Sequence, residues 1–333
     1  DVNAWVAYGW FIDDVELLTK PTTDLVAKPS FWGTDGLTYF QTPTTQVAPI
    51  DFSAIAVNDG ATDLTQVTLN VNIPAGSYVG SGTTYGGGTI TPNAQDTAAV
   101  STAFTPPATV MNYPVTWSFS QTETDDVPTN NGLAAFAFDV TANTYAADNN
   151  VAISTTSNGG NAFKVGAWYD IVNDQDLYAI DVKLHSATNV GAIIRGVLYE
   201  VAVVNGALEY NEVASSDYHD IVAADKVGIL TLELISPYTV TNTQLTYMAA
   251  IETDGDGGAT NDVVVASAQL TESFIGFQDE LGDWYTGFLG GTNAPMVRMN
   301  FDQTLGLDVN ENVSGLSIYP NPATVNISVD FNL

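Results

Sequence analysis

The sequence has 333 residues, of which 45% are hydrophobic and 11% aromatic, enough apolar side chains for about two domains with cores of their own. Only 14% are charged, and 38 Asp and Glu stand against 7 Lys and Arg, a formal net charge of −31. This charge repels nucleic-acid phosphates and anionic membrane surfaces, and the absence of cysteine excludes disulfides and thiolate metal sites.

The sequence contains no run of about 18 apolar residues, so we expect no membrane-spanning helix. Its first ten residues, "DVNAWVAYGW", lack the basic region and cleavage pattern of a signal peptide. We therefore expect a mature or excised fragment.

The first predicted element is a strand in "GWFIDDVELL" (9–18). It resembles the last strand of jelly-roll modules of the MAM and cleaved-adhesin type, so residues 1–20 are interpreted as the end of a preceding module. That resemblance implies that an aspartate of the pair Asp13 and Asp14 helps to bind a structural calcium ion. Alternatively, the strand packs onto the next domain, because a single strand needs partners.

Residues 21–148 contain alternating, β-branched segments separated by turn residues, a pattern typical of antiparallel strands. These segments are "FSAIAV" (52–57), "QVTLNVNI" (66–73), "YPVTWSF" (113–119) and "AFAFDVT" (135–141). The Gly- and Thr-rich stretch at 78–93 is predicted to be a loop or hairpin. "TDLVAKPSFWG" and "APIDFSAIAVNDGATDLTQVTLNVNI" resemble the opening strands of immunoglobulin-like modules of bacterial surface proteins, which implies an immunoglobulin-like β-sandwich.

Residues 149–304 continue the strand pattern and are followed by a polar linker at 305–315. The predicted strands are "YAIDVKL" (178–184), "GAIIRGVLYEVAVV" (191–204), "GILTLEL" (228–234), "TYMAAIE" (246–252) and "APMVRMNF" (294–301). Their order resembles a bacterial jelly-roll of the carbohydrate-binding or adhesin kind. Because helical periodicity is missing from end to end, we predict an all-β fold of tandem antiparallel β-sandwiches.

The last segment, "LSIYPNPATVNISVDFNL" (316–333), places a turn between two alternating strands. Pro320 and Pro322 fix φ and exclude helix, while Asn321 tolerates turn geometry. With Tyr319 they form a "YPNP" motif that resembles the start of the type A sorting domain of the type IX secretion system of Bacteroidota. The resemblance implies export by that machinery. Since the family's module continues for several more strands, we expect that this one is truncated or processed; the alternative is a plain Pro-turn hairpin.

The sequence marks no catalytic site. His185 and His219 stand far apart, without a second histidine at metal-ligand spacing, and are interpreted as surface or turn residues. No "GxSxG" motif occurs, and "YGGGT" (85–89) lacks the Lys-Ser/Thr of a phosphate-binding loop. We therefore predict a protein that is not an enzyme.

Two acidic stretches are candidates for structural Ca²⁺. The first, "ETDGDGGATND", offers Asp254, Asp256 and Asp262 around three glycines, and hard carboxylate oxygens suit calcium. It lacks the Glu at the twelfth position of an EF-hand, and a solvated Asp-Gly hairpin is the competing interpretation.

The second stretch, "VNDQDLYAID", supplies Asp174, Asp176 and Asp181. A plain acidic surface suited to salty surroundings explains the same residues.

Aromatic residues give the best ligand candidates. Trp284 and Tyr285 lie in the Gly- and Asp-rich "FIGFQDELGDWYTGFLGG", and Trp168 lies in "GAWYDI". Exposed rings beside carboxylates suit sugars, whose C–H faces stack while their hydroxyls form hydrogen bonds. The alternatives are that Trp284 closes the end of a sandwich and that Trp168 belongs to the core. Separately, "DTA" (96–98) matches the short O-glycosylation acceptor sequence of Bacteroidota, with Thr97 as the acceptor.

Together these features predict a secreted or cell-surface protein that acts as an adhesin, a spacer or a unit of a surface fibre. Its expected partners are the type IX machinery, surface glycans and like subunits. The alternative is the accessory C-terminal region of a larger secreted hydrolase or peptidase, whose catalytic domain would lie upstream.

Overall fold

The computed structural model describes residues 19–244, 246–257, 260–269, 275–287, 293–305, 317–319 and 328–330. The strand expected at 9–18, with Asp13 and Asp14, lies outside the described residues. So do Pro320, Asn321 and Pro322.

The regular secondary structure of the described part of the chain is nearly all strand. In chain order its strands are β1 Leu25–Gly33, β2 Gln41–Pro43, β3 Asp51–Asn58, β4 Thr68–Ile73, β5 Tyr78–Thr83, β6 Gln95–Ala99, β7 Met111–Ser120, β8 Phe136–Thr141, β9 Thr144–Tyr145, β10 Ala152–Thr156, β11 Asn161–Asp170, β12 Gln175–Val182, β13 Ile193–Val204, β14 Ala207–Ser215, β15 His219–Asp220, β16 Leu230–Val240, β17 Thr246–Gly255, β18 Val265–Gln269, β19 Ile275–Gln278, β20 Trp284–Thr286, β21 Asn293–Pro295, β22 Val297–Asn300, β23 Ser317–Tyr319 and β24 Ser328–Asp330. Within the described ranges the helices are single 3-10 turns at Thr44–Gln46, Pro74–Gly76, Pro128–Asn130 and Ala223–Lys226. The predicted all-β class is confirmed.

The chain forms two compact units that are interleaved in sequence. The first contains the described residues up to 38, residues 48–107 and residues 111–139. The second contains residues 39–47, residues 108–110 and the described residues from 140 onward.

The first unit is an antiparallel sandwich. One sheet has the order β1-β3-β6, and the other joins β5, β4, β7 and β8 as neighbours, the strand arrangement of immunoglobulin-like folds. The inner faces meet through aromatic rings: Phe52 on β3 contacts Trp117 on β7 with centroids 6.3 Å apart. Trp32 on β1 stacks on Phe136 of β8 at 4.3 Å.

The second unit has three antiparallel sheets. The largest has the order β14-β13-β17-β11-β19-β20, with β15 paired to β13; the others are β16-β12-β22-β9 and β10-β18-β21. The large sheet packs on the four-stranded one: the Tyr169 hydroxyl on β11 donates to the Val297 carbonyl on β22 at 2.7 Å. Gly196 on β13 lies so close to β12 that a Cβ there would be 2.9 Å from the Ile180 Cβ.

The two strands that flank the "YPNP" segment pair with each other. Ser317 of β23 lies opposite Asp330 of β24, and Tyr319 opposite Ser328, in an antiparallel register. The pairing agrees with the two strands predicted on either side of the Pro-Asn-Pro turn.

Candidate functional site

The large sheet of the second unit curls strongly over its outer face, the one turned away from the four-stranded sheet. In a flat six-stranded sheet the outermost strands would be five spacings, roughly 24 Å, apart. Yet the rings of Tyr210 on β14 and Trp284 on β20 stack with centroids 4.0 Å apart and planes inclined by 17°. Glycine permits this approach: a Cβ at Gly276 on β19 would lie 2.5 Å from the Met248 sulfur and 3.3 Å from the Tyr210 ring.

Four rings fill this concave face, and we call Trp168, Tyr199, Tyr210 and Trp284 the aromatic cluster. Tyr199 contacts Trp284 edge-on at 5.6 Å, and Trp168 contacts Tyr210 edge-on at 6.2 Å. Tyr199 is buried, whereas the other three rings are partly exposed. The cluster therefore has a closed base and an accessible rim.

Apolar side chains from the same face support the base of the cluster. Val197, Val201, Met248 and Ala250 are buried beneath the rings, because residues two apart on a strand point to the same side. Burial raises the pKa of Tyr199, and the acidic side chains near it act in the same direction. The Tyr199 hydroxyl is therefore neutral at physiological pH.

A network of alternating charges borders the aromatic cluster. Arg195 on β13 contacts Glu252 on β17 through Nε at 2.6 Å, and its two terminal nitrogens contact Glu212 at 3.0 and 3.1 Å. Lys164 on β11 lies 3.5 Å from Glu252 and 5.6 Å from the centre of the Tyr199 ring. Two cations thus meet two carboxylates, so the rim offers hydrogen-bonding groups without a net charge.

The structure separates the three aromatic residues that the sequence singled out. Trp168 and Trp284 belong to the same cluster although they are far apart in sequence. Tyr285 lies on the opposite face of β20, is 49% exposed, and donates its hydroxyl to Asp279 Oδ2 at 3.2 Å. Tyr199 and Tyr210 were not predicted: alternation places them on one face of a hairpin, but only the curl brings them to Trp284.

Carboxylates of the second acidic stretch cap or bridge neighbouring segments. Asp174 Oδ1 accepts a hydrogen bond from the Asn242 backbone N–H at 2.9 Å. Asp176 Oδ1 accepts one from the Thr239 hydroxyl at 2.5 Å. Asp181, the third member, is buried and bonded to Thr231 at 2.7 Å.

The first acidic stretch is only partly engaged. Asp256 Oδ2 accepts hydrogen bonds from the backbone N–H and hydroxyl of Thr260, at 2.8 and 2.7 Å, while Asp254 is exposed and Asp262 half-buried. Across the described ranges, no three His, Asp or Glu side chains are arranged to hold a metal ion. The calcium sites rest on the sequence and stay a prediction.

The histidines and the acceptor threonine occupy ordinary positions. His219 Nε2 lies 2.8 Å from Asp225 Oδ2, and His185 Nδ1 accepts a hydrogen bond from a backbone N–H two residues on, at 3.2 Å. Thr97 lies on β6 opposite Ile55 of β3 and is half-buried. Its glycosylation stays a prediction.

Comparisons with known proteins give weak similarities. No protein-family model matches the chain, and no curated protein matches it. A two-domain protein of unknown function from Bacteroides fragilis aligns with 83% of this chain and 94% of its own, at 8% identity and a TM-score of 0.22. The secreted serine protease VesC from Vibrio cholerae aligns with 69% of this chain and 49% of its own, at 10% identity and a TM-score of 0.19. Scores this low carry no functional inference.

In the described part of the chain, no helix has both the length and the apolar character needed to span a membrane.

Proposed function

We propose that this chain belongs to a non-catalytic protein of the outer cell surface or the extracellular medium, exported by the type IX secretion system, that acts as an adhesin by binding a glycan at the aromatic cluster. The observation that carries the proposal is the set of partly exposed rings of Trp168, Tyr210 and Trp284 on one concave sheet face.

The chemistry of the cluster suits a sugar. Ring faces and edges pack against the C–H groups of a pyranose, while hydroxyl groups need donors and acceptors close by. Tyr210 and Thr286 pair through their hydroxyls at 2.6 Å, and Arg195 and Glu212 lie on the same face. Such a surface combines apolar stacking with fixed polar groups.

Charge favours a neutral glycan over an anionic one. The formal net charge of −31 repels anions at long range, and both cations beside the cluster are already paired with carboxylates. A sulfated or uronic-acid polymer would therefore gain no free positive charge here.

Export is supported by the "YPNP" segment. Its resemblance to type A sorting domains, together with the antiparallel pairing of Ser317–Tyr319 and Ser328–Asp330, is the basis for this part of the proposal. The test is deletion of residues 316–333 in a Bacteroidota host that has the type IX machinery. We expect the protein that keeps residues 316–333 to be digested by protease added to intact cells and the deleted form to stay protected. Equal digestion would contradict export through this segment.

Glycan binding is tested with the purified protein on an array of neutral glycans. We expect Trp284→Ala and Trp168→Ala to lose retention of any glycan that the parent protein holds. Tyr285→Ala is the matched control, because this ring is exposed on the other face of the same strand. Parent protein that retains no glycan, or that hydrolyses one, refutes the proposal.

A further inference from the structure

A polar groove of about 540 Å³ opens on the second unit, built from residues that the aromatic cluster does not use. Four stretches of chain meet there: Thr44–Thr45, the segment 142–143, the first half of β12, and the segment 301–304 that follows β22. Its volume falls within the range of small-molecule sites, roughly 300–1,000 Å³.

Two aromatic residues, Tyr178 and Phe301, line the groove. Tyr178 on β12 is half-buried, and no described residue forms a hydrogen bond with its hydroxyl. Phe301, which is buried, also lines the cavity. The wall thus offers a ring edge or face together with a free donor.

Two carboxylates line the groove in fixed orientations. Asp302 Oδ1 accepts hydrogen bonds from the backbone N–H and hydroxyl of Thr304, at 2.9 and 2.8 Å, and Asp176 Oδ1 accepts one from Thr239. In the described structure the second oxygen of each carboxylate accepts no hydrogen bond. Each aspartate therefore keeps one acceptor oxygen available, and the hydrogen bonds to its Oδ1 fix the orientation of the carboxylate.

Hydrogen bonds of Gln46, the residue that follows Thr45, hold the wall formed by Thr44 and Thr45. Gln46 is 1% exposed, and its amide nitrogen donates to the Asn173 carbonyl at 2.8 Å and to Gln175 Oε1 at 3.0 Å. Its amide oxygen accepts from the backbone N–H groups of Val172 and Asn173, at 2.9 and 3.1 Å. A preformed wall lowers the entropy lost when a ligand binds.

We propose that the polar groove is a second saccharide site, specific for neutral sugars. Its lining contains Thr, Asn, Gln and Asp side chains and the Tyr178 ring but no Lys, Arg or His, so an anion finds no counter-charge. Sugar hydroxyls donate to Asp176 and Asp302, and the ring packs on their C–H groups. The inference shares its ligand class with the proposed function but none of its residues. Two sites on one unit allow bivalent attachment to a polymer.

The experiment uses the purified full chain and neutral hexasaccharides of glucose, mannose and galactose, with affinities measured by calorimetry and contacts by saturation-transfer NMR. We expect Tyr178→Ala and Asp302→Asn each to weaken binding about tenfold, as expected for one lost packing or charge-assisted contact. Tyr178→Phe, which keeps the ring and loses only the hydroxyl, should weaken binding less than Tyr178→Ala does. Tyr85→Ala and Asp217→Asn, both exposed and outside the groove, are the matched controls.

The outcomes separate the two sites. If Trp284→Ala loses binding while Tyr178→Ala and Asp302→Asn bind fully, the proposal that the groove binds saccharides is refuted. The proposed function then stands. The reverse pattern supports the groove and overturns the aromatic cluster. Binding of Ca²⁺ that depends on Asp302, without binding of any hexasaccharide, also overturns the groove. Circular dichroism checks that the variants are folded. If Tyr178→Ala does not fold, the near-isosteric Asp302→Asn still tests the groove.

Discussion

The buried ion pair of the second unit gives the sharpest stability prediction. Arg298 on β22 is 4% exposed and Asp148 1% exposed. Arg298 Nε lies 2.8 Å from Asp148 Oδ2, and Nη2 lies 2.6 Å from Oδ1 and 3.0 Å from Asn150 Oδ1. The change to make is Arg298→Met, which keeps most of the side chain's length and removes its charge.

The expected loss of stability comes from the Asp148 carboxylate, which stays buried when Arg298 is replaced. With Met at position 298, Asp148 becomes a buried carboxylate without a counter-charge, and such a deletion costs about 3–5 kcal/mol. A domain has only roughly 5–15 kcal/mol of stability, so the unit should lose about a fifth of it or more. With a urea slope of about 1–3 kcal/mol per molar, the midpoint of the second unit's transition should fall by at least about 1 M.

The assay is urea unfolding followed by tryptophan fluorescence, with Lys183→Met as the control. Lys183 belongs to the same unit, and no described residue forms an ion pair with it, so its replacement should cost less than about 0.5 kcal/mol. Adding Asp148→Leu to Arg298→Met should recover part of the loss, because an apolar pair leaves no orphan charge. If Arg298→Met behaves like the control, the buried pair does not stabilise the unit and the reasoning fails.

Three further predictions concern packing, protonation and ions. Gly82→Ala should lower the free energy of unfolding in urea by about 1–3 kcal/mol, because a Cβ there overlaps the Ala99 carbonyl. Gly132 has open space around it, so Gly132→Ala should be nearly neutral. Equal effects of the two substitutions would show that this overlap does not matter. Burial raises the pKa of Asp181 above its usual 3.8, although hydrogen bonds to the carboxyl oppose this. The native protein therefore binds this proton more strongly than the unfolded chain does. Its stability should fall as pH rises from 3.8 through the folded pKa. An NMR titration midpoint of the Asp181 carboxyl at or below 3.8 would exclude that slope. Finally, if calcium is structural, EDTA should lower the melting temperature. An unchanged melting temperature would refute the prediction of structural calcium.

Strand positions were readable from the sequence because most strands bury one face. On β7 the alternation of Tyr113, Val115, Trp117 and Phe119 with polar neighbours matches their buried and exposed positions. The same holds for β3 and β4. Side-chain alternation is a local property, so a single strand reports it.

The curl and the buried pair were not readable, because both depend on register between distant strands. Asp148 lies in "AADNN", which reads as a polar connector, yet it is buried against Arg298. Likewise, nothing in Tyr210 or Trp284 alone indicates that the edges of a six-stranded sheet approach each other. Such features follow from how strands pair, and pairing is set by the whole unit.

The interleaving of the two units has a consequence for how the protein is made. Tyr39 lies among buried tyrosines of the second unit, where its hydroxyl accepts a hydrogen bond from the Asp170 backbone N–H at 2.8 Å. During synthesis Tyr39 leaves the ribosome long before Asp170 does. Their contact can form only after the later residue has been made, and contacts so distant in sequence form late in folding. A recombinant fragment that starts at 149 would lack Tyr39, Gln46 and Tyr145, so dissection by truncation would remove part of the core it aims to isolate.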